Sequence, residues 1–114
     1  MKKENIILDK SYSFSIQIVQ LYKVLISNKE YVLSKQLLRC GTSVGANIYE
    51  AQGSISKKEF IVKMQISYKE LIESGYWLNL LKDTDFITND TFNRYIGLVE
   101  EIKRILVSIQ KKMK

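Results

Sequence analysis

Histidine and proline are absent from this 114-residue chain, which carries one cysteine and five glycines. Without histidine there is no Ser-His-Asp or Cys-His nucleophile and no HExxH zinc site. A carboxylate-bridged di-iron bundle, which draws on Glu-x-x-His pairs, is disfavoured for the same reason. Mg²⁺ held by carboxylates alone would need clustered, inward-facing acids, and the sequence has no such cluster. No metal and no cofactor are expected. With no proline and few glycines, little forces a helix to stop, so long helices are favoured. Cys40 has no partner for an internal disulfide, which suits a reducing compartment. No stretch reaches the roughly 18 apolar residues that span a bilayer. The opening MKKENIILDKSYSF breaks its apolar run at Asp9 and Lys10, so it is not expected to act as a secretory leader. A soluble, cytoplasmic protein without membrane contact is expected.

What is present points to a compact helical protein. Hydrophobic residues make up 46% of the chain and charged residues 26%, a globular composition of a length that suits one domain over residues 1–114. The spacing predicts a first helix from about Asp9 to Ser27, with Phe14, Ile18, Leu21 and Leu25 as its stripe. Asn28, Lys29 and Glu30 make a polar break. A second helix is predicted from Tyr31 to Gln52, with Leu33, Leu37, Cys40, Val44, Ile48 and Ala51 facing inward and Gly53 as its C-terminal cap. Ser56-Lys57-Lys58-Glu59 reads as a capping box, flanked by Ile55 and Phe60 at hydrophobic-staple positions. The third helix then alternates four- and three-residue steps from Phe60 to Leu81. After KDTDFITND, Thr88 or Asn89 can cap a fourth helix whose stripe runs from Phe92 to Met113. Four helices with short connections make an all-α, antiparallel up-down-up-down four-helix bundle the economical fold.

The second helix raises a question, because Gly41 and Gly45 sit where it should be strongest. Glycine costs a helix interior about 1 kcal/mol relative to alanine. An antiparallel pairing of the second and third helices about Gly53–Ile55 would bring Gly41 opposite Ser67, Arg39 opposite Glu70 and Leu33 opposite Gly75. Close packing of small residues would then offset the glycine cost. Arg39, Ser43, Asn47 and Glu50 line the border of the inner stripe, and Glu59, Lys63, Glu70 and Glu73 form the matching border. An ion pair from Arg39 to Glu70 or Glu73 would fix the register of the pair, which makes these residues structural rather than catalytic. Cys40 reads as a small core residue. The third helix is apolar around most of its circumference, more than a small bundle can bury. The surplus, with Tyr76 and Trp77 at its centre, predicts a homo-oligomer interface.

SKQLLRCGTSVGANIYEAQ followed by SKKEFIVKMQISYKELIESGYWLNLL resembles the four-helix-bundle family of proteins encoded in intervening sequences of bacterial 23S rRNA genes. The resemblance is carried by Gln36, Leu37, Arg39, Cys40, Gly41, Ser43, Val44, Ala46, Asn47, Ile48 and Glu50. It continues through Lys69, Glu70, Glu73, Tyr76, Trp77, Leu78, Leu80 and Leu81. Cys40-Gly41 and Glu50-Ala51 stand where many relatives have Ser-Ala and Glu-Gly. The resemblance implies a bundle that assembles as a ring, with a pentamer as the expected form, and no enzymatic activity. It also implies kinship with the accessory variability protein of diversity-generating retroelements, a basic barrel that binds nucleic acid and a reverse transcriptase.

Charge supplies the functional expectation. The formal net charge is +6, from 18 Lys+Arg against 12 Asp+Glu. Lys103, Arg104, Lys111, Lys112 and Lys114 close the chain with no acid among them. With Lys57, Lys58 and Lys63 they are the candidate contacts for RNA or DNA phosphates, although cations are also favoured at any helix C-terminus. No RNA-recognition signature supports base-specific readout. The alternative expectation is a homo-oligomeric scaffold that binds a protein partner and has little affinity for nucleic acid.

Overall fold

The computed structural model describes residues 3–113; Lys114, the last cation of the basic terminus, lies outside them. Four helices follow in order, α1 (Lys3–Ser27), α2 (Leu33–Ala51), α3 (Lys57–Asp83) and α4 (Asn89–Lys112), and no strand occurs among the described residues. Each helix packs on its neighbours in sequence and α4 closes back on α1, which is the up-down-up-down bundle. The bundle measures 44 × 21 × 21 Å. One apolar cluster runs its length, with Phe14, Ile18, Leu37, Ile48, Leu71, Leu78, Ile102 and Leu106 fully buried. Each such side chain contributes about 1.5–3 kcal/mol relative to an exposed one.

The first helix starts at Lys3, well before Asp9. Ile7 and Ser11 extend its buried stripe backwards, both at 0% exposure. Ser11 hides this extension from a hydrophobicity pattern. Its hydroxyl donates to the Leu8 carbonyl at 3.1 Å, so a polar residue is buried without an unmet hydrogen bond.

Gly41 and Gly45 face α1, not α3 as the sequence pairing predicts. A Cβ on Gly41 would lie 2.9 Å from both branches of Ile18, and one on Gly45 would lie 3.1 Å from the Ser11 carbonyl oxygen and the Ser15 hydroxyl. Gly75 faces Ile96 of α4 instead of Leu33. Opposite Ser67 is Val44, whose carbonyl accepts the Ser67 hydroxyl at 2.8 Å. The pairing is thus displaced by about three residues from one centred on Gly53–Ile55.

The helix ends explain the remaining differences. Gly53 is not in the left-handed region and makes no glycine cap; its amide donates to the Glu50 carbonyl at 3.0 Å. The left-handed positions are instead Lys29 (φ 68°) and Asp85 (φ 65°). Each carries the paired amide bonds of a Schellman ending: Lys29 to Ile26 and Glu30 to Leu25, then Asp85 to Lys82 and Phe86 to Leu81. Ser56 and Thr88 cap α3 and α4, accepting from the amides of Glu59 and Thr91, each at 3.1 Å. Ile55 is 93% exposed, so the expected staple does not form and Phe60 reaches the core alone.

The sequence places Glu30 in a polar break, yet it is 7% exposed. Its carboxylate accepts from the amides of Val32 and Leu33 at 3.0 Å and from Ser34 at 2.6 Å, which covers the start of α2. Burial by itself would raise its pKa, but the amides of Ser34, Leu33 and Val32 outweigh that and hold it below the ordinary value of 4.5. A lowered folded value means that the stabilisation is complete above about pH 4.5 and is lost as the pH falls further. Glu30→Gln is expected to cost about 2 kcal/mol at pH 7. Thermal midpoints measured from pH 7 to 3 should fall more steeply for the natural chain than for this variant. The glycines give a second expectation. Gly41→Ala should destabilise by about 1–3 kcal/mol through its clash with Ile18. Gly97→Ala, on an exposed helical position with nothing within 4 Å, should stabilise by up to about 1 kcal/mol in urea denaturation.

Candidate functional site

Two polar features stand out on the bundle: a seam between α2 and α3, and a basic end where α3 begins and α4 finishes. The seam centres on Arg39. Its guanidinium bonds Glu70 at 3.3 Å and also pairs with Glu73. Glu73 in turn accepts the indole N–H of Trp77 at 3.0 Å, and the Tyr76 ring meets the Trp77 ring edge-on with centroids 5.0 Å apart. Partial desolvation opposes the charge on Arg39, but Glu73 and Glu70 overcome it and hold the guanidinium protonated more firmly than usual. Further along, Lys63 pairs with Glu50 at 2.7 Å.

Not every seam residue reaches across. The Ser43 hydroxyl donates to the Arg39 carbonyl and the Asn47 amide to the Ser43 carbonyl, each at 2.8 Å, so both side chains bond back into α2. Beneath the seam Ser74 donates to the Glu70 carbonyl at 2.9 Å and to the Cys40 sulfur at 3.4 Å. Burial pushes the Cys40 thiol up, so it stays protonated and is a poor nucleophile. The seam carboxylates already hold Arg39, Trp77 and Lys63, and no group of three or more acids or cysteines able to hold a metal occurs among the described residues. This chemistry fixes helices; it offers no reacting group.

The basic end is an outcome of topology. In an antiparallel bundle α3 starts where α4 finishes, and the two helices are neighbours. Lys57 and Lys58 at the first turn of α3 therefore share one end of the molecule with Lys111 and Lys112 at the last turn of α4, all four exposed. Arg104 is exposed and Lys103 partly buried, roughly 10 Å further down α4 at 1.5 Å per residue. None of these six cations makes an ion pair among the described residues, whereas Lys63 is committed to Glu50. The two pairs differ in what folding gains from them. Lys111 and Lys112 suit the negative end of the α4 macrodipole, but Lys57 and Lys58 sit at the positive end of α3, where cations are disfavoured. Tyr76 is 61% exposed on the outer side of α3, while Trp77 turns into the seam.

The chain matches the model of the family described as 23S rRNA-intervening sequence protein over residues 3–108. It belongs to that family. A crystal structure of a protein of unknown function from the S23 ribosomal protein family of Bacteroides thetaiotaomicron is similar to it throughout. The two share 46% identity with a TM-score of 0.95, over 96% of this chain and 99% of that one. No curated protein matches the chain.

Glu30 and the close approach of α1 to α2 escaped the sequence reading. A signal for that approach was present, since Ser11 and Ser15 on α1 repeat the four-residue step of Gly41 and Gly45 on α2. For the seam, a double-mutant cycle of Arg39→Ala and Glu73→Ala in urea is expected to give a coupling of about 0.5–1 kcal/mol, modest because Arg39 is half exposed. The coupling should shrink in 1 M salt.

Proposed function

We propose that the protein is a non-enzymatic, homo-oligomeric bundle of the cytoplasm that binds structured RNA, rRNA being the natural candidate, by contacting phosphates through its basic end. The observation that carries this reading is the gathering of Lys57, Lys58, Lys111 and Lys112 at one end without acid partners among the described residues. Two of them stand where the helix dipole opposes them, so folding does not account for their presence. Assembly multiplies the effect. A pentameric ring, the form expected from the family resemblance, would carry five times the formal +6 of one chain. Recognition of this kind reads backbone and shape, in keeping with the lack of an RNA-recognition signature.

The test is a titration of a labelled, structured 23S rRNA fragment at about 50 and 200 mM salt, followed by fluorescence anisotropy. Binding at low salt that weakens by at least tenfold at high salt is expected. Replacing Lys57, Lys58, Lys111 and Lys112 together by alanine should remove most of the affinity and lower the salt slope by about 3. Lys63→Ala should change little, because Lys63 already neutralises Glu50. Absence of binding at 50 mM salt would overturn the nucleic-acid reading and leave an oligomeric scaffold for a protein partner.

A further inference from the structure

The basic end carries an apolar tip. Ile55, in the connection between α2 and α3, is 93% exposed, and the next most exposed large apolar residue among those described, Tyr49, reaches 73%. Hydrogen bonds fix the chain on both sides of this tip. The amides of Gly53 and Ser54 donate to the carbonyls of Glu50 and Ala51 at 3.0 and 3.1 Å, and the Ser56 hydroxyl accepts the Glu59 amide at 3.1 Å. A staple onto Phe60 would have buried Ile55, but Phe60 packs on the core without it. Folding thus gains nothing from an apolar side chain at this position, and a serine would serve the connection equally well.

The surroundings define what the tip fits. Lys57 and Lys58 follow it directly, and Lys111 and Lys112 share the same end of the bundle. Glu59 is the acid of the first turn of α3, where it suits the positive end of the helix dipole, and it leaves the cations in excess. The neighbours of Ile55 in the chain, Gln52, Gly53, Ser54 and Ser56, are polar or lack a side chain, so the apolar surface is one branched side chain wide. A lipid surface is gripped by a broader apolar face. A single aliphatic side chain among cations matches the gap between two neighbouring bases, into which isoleucine and similar side chains insert as wedges.

We propose that Ile55 is the specificity-determining residue of the basic end: it enters a base step opened by an unpaired nucleotide, while the lysines hold the flanking phosphates. This rests on the proposed RNA binding and narrows its ligand from structured RNA to RNA whose stem is interrupted. An unpaired nucleotide lowers the cost of opening the stack, which a continuous stem would charge in full. The lysines supply affinity for either kind of stem; the tip tells them apart.

Two RNA hairpins of one stem sequence serve as probes, one fully paired and one with a single bulged 2-aminopurine nucleotide, titrated by anisotropy at about 50 mM salt. The natural chain is expected to bind the bulged hairpin about tenfold more tightly, the factor for burying one aliphatic side chain, and to raise the 2-aminopurine fluorescence as the stack opens. Ile55→Ser should bind the two hairpins alike while keeping the natural salt slope, because no cation is lost. Ile55→Leu should keep the preference. Helicity and thermal midpoint should be unchanged in both variants, since the side chain is 93% exposed. Equal binding of the two hairpins by the natural chain, or an Ile55→Ser protein that keeps the preference, overturns the wedge and leaves phosphate binding standing. Failure to bind either hairpin overturns the RNA reading itself. Co-sedimentation of the natural chain, but not of Ile55→Ser, with phosphatidylglycerol vesicles would overturn the wedge in favour of a lipid surface.

Discussion

The approach of α2 to α1 at Gly41 and Gly45 sets the geometry from which the rest of the bundle is read. With no side chain on either glycine, the Ile18 branches and the Ser11 backbone lie directly against α2. Two glycines cost a helix interior about 2 kcal/mol in propensity. Close packing along this line returns dispersion contacts that a wider spacing would forfeit. It also rotates α2 so that its opposite border, from Arg39 to Glu50, is presented to α3. A single helix thus has a glycine-lined side against α1 and a border of ion pairs against α3.

That charged side governs where the net charge of the molecule ends up. Glu50, Glu70 and Glu73 are consumed in pairs with Lys63 and Arg39, and Glu101 with Lys10. The pairs are local and largely neutral. Part of the positive surplus gathers at the start of α3 and the end of α4, on cations that make no ion pair among the described residues. An even scatter of the same +6 would produce no such pole.

Much of this architecture was legible in the sequence. The inner stripes of α2, α3 and α4 follow heptad-like spacing, and the Ser56 and Thr88 caps are readable from residue type and position. What escaped has physical causes. Ser11 is a core residue whose hydroxyl is satisfied within its own helix, so hydrophobicity cannot flag it. Glu30 is charged yet buried, because three backbone amides replace its water. Gly53 suggested a left-handed cap, but Lys29 and Asp85, residues that pay a steric cost there, occupy the two left-handed positions. The partner of Gly41 was misassigned since small residues occur on both sides of α2, and sequence spacing alone does not say which neighbour they touch. For the functional site, the individual cations were visible from the start. Their gathering at one end, and the diversion of Lys63 to Glu50, follow from the antiparallel packing and required the fold.

Glu30 closes one helix and opens the next. Its amide completes the end of α1 on the Leu25 carbonyl at 2.9 Å, its carboxylate holds the first amides of α2, and its own carbonyl accepts the Ser34 hydroxyl at 2.8 Å. All of these Glu30 bonds lie between Leu25 and Ser34. The hydrogen bonds of the corner therefore draw on no residue of α3 or α4, and a chain leaving the ribosome can form them before the second half of the bundle has been made. Contacts so near in sequence cost little loop entropy to form, which is the condition for rapid folding of a helical protein.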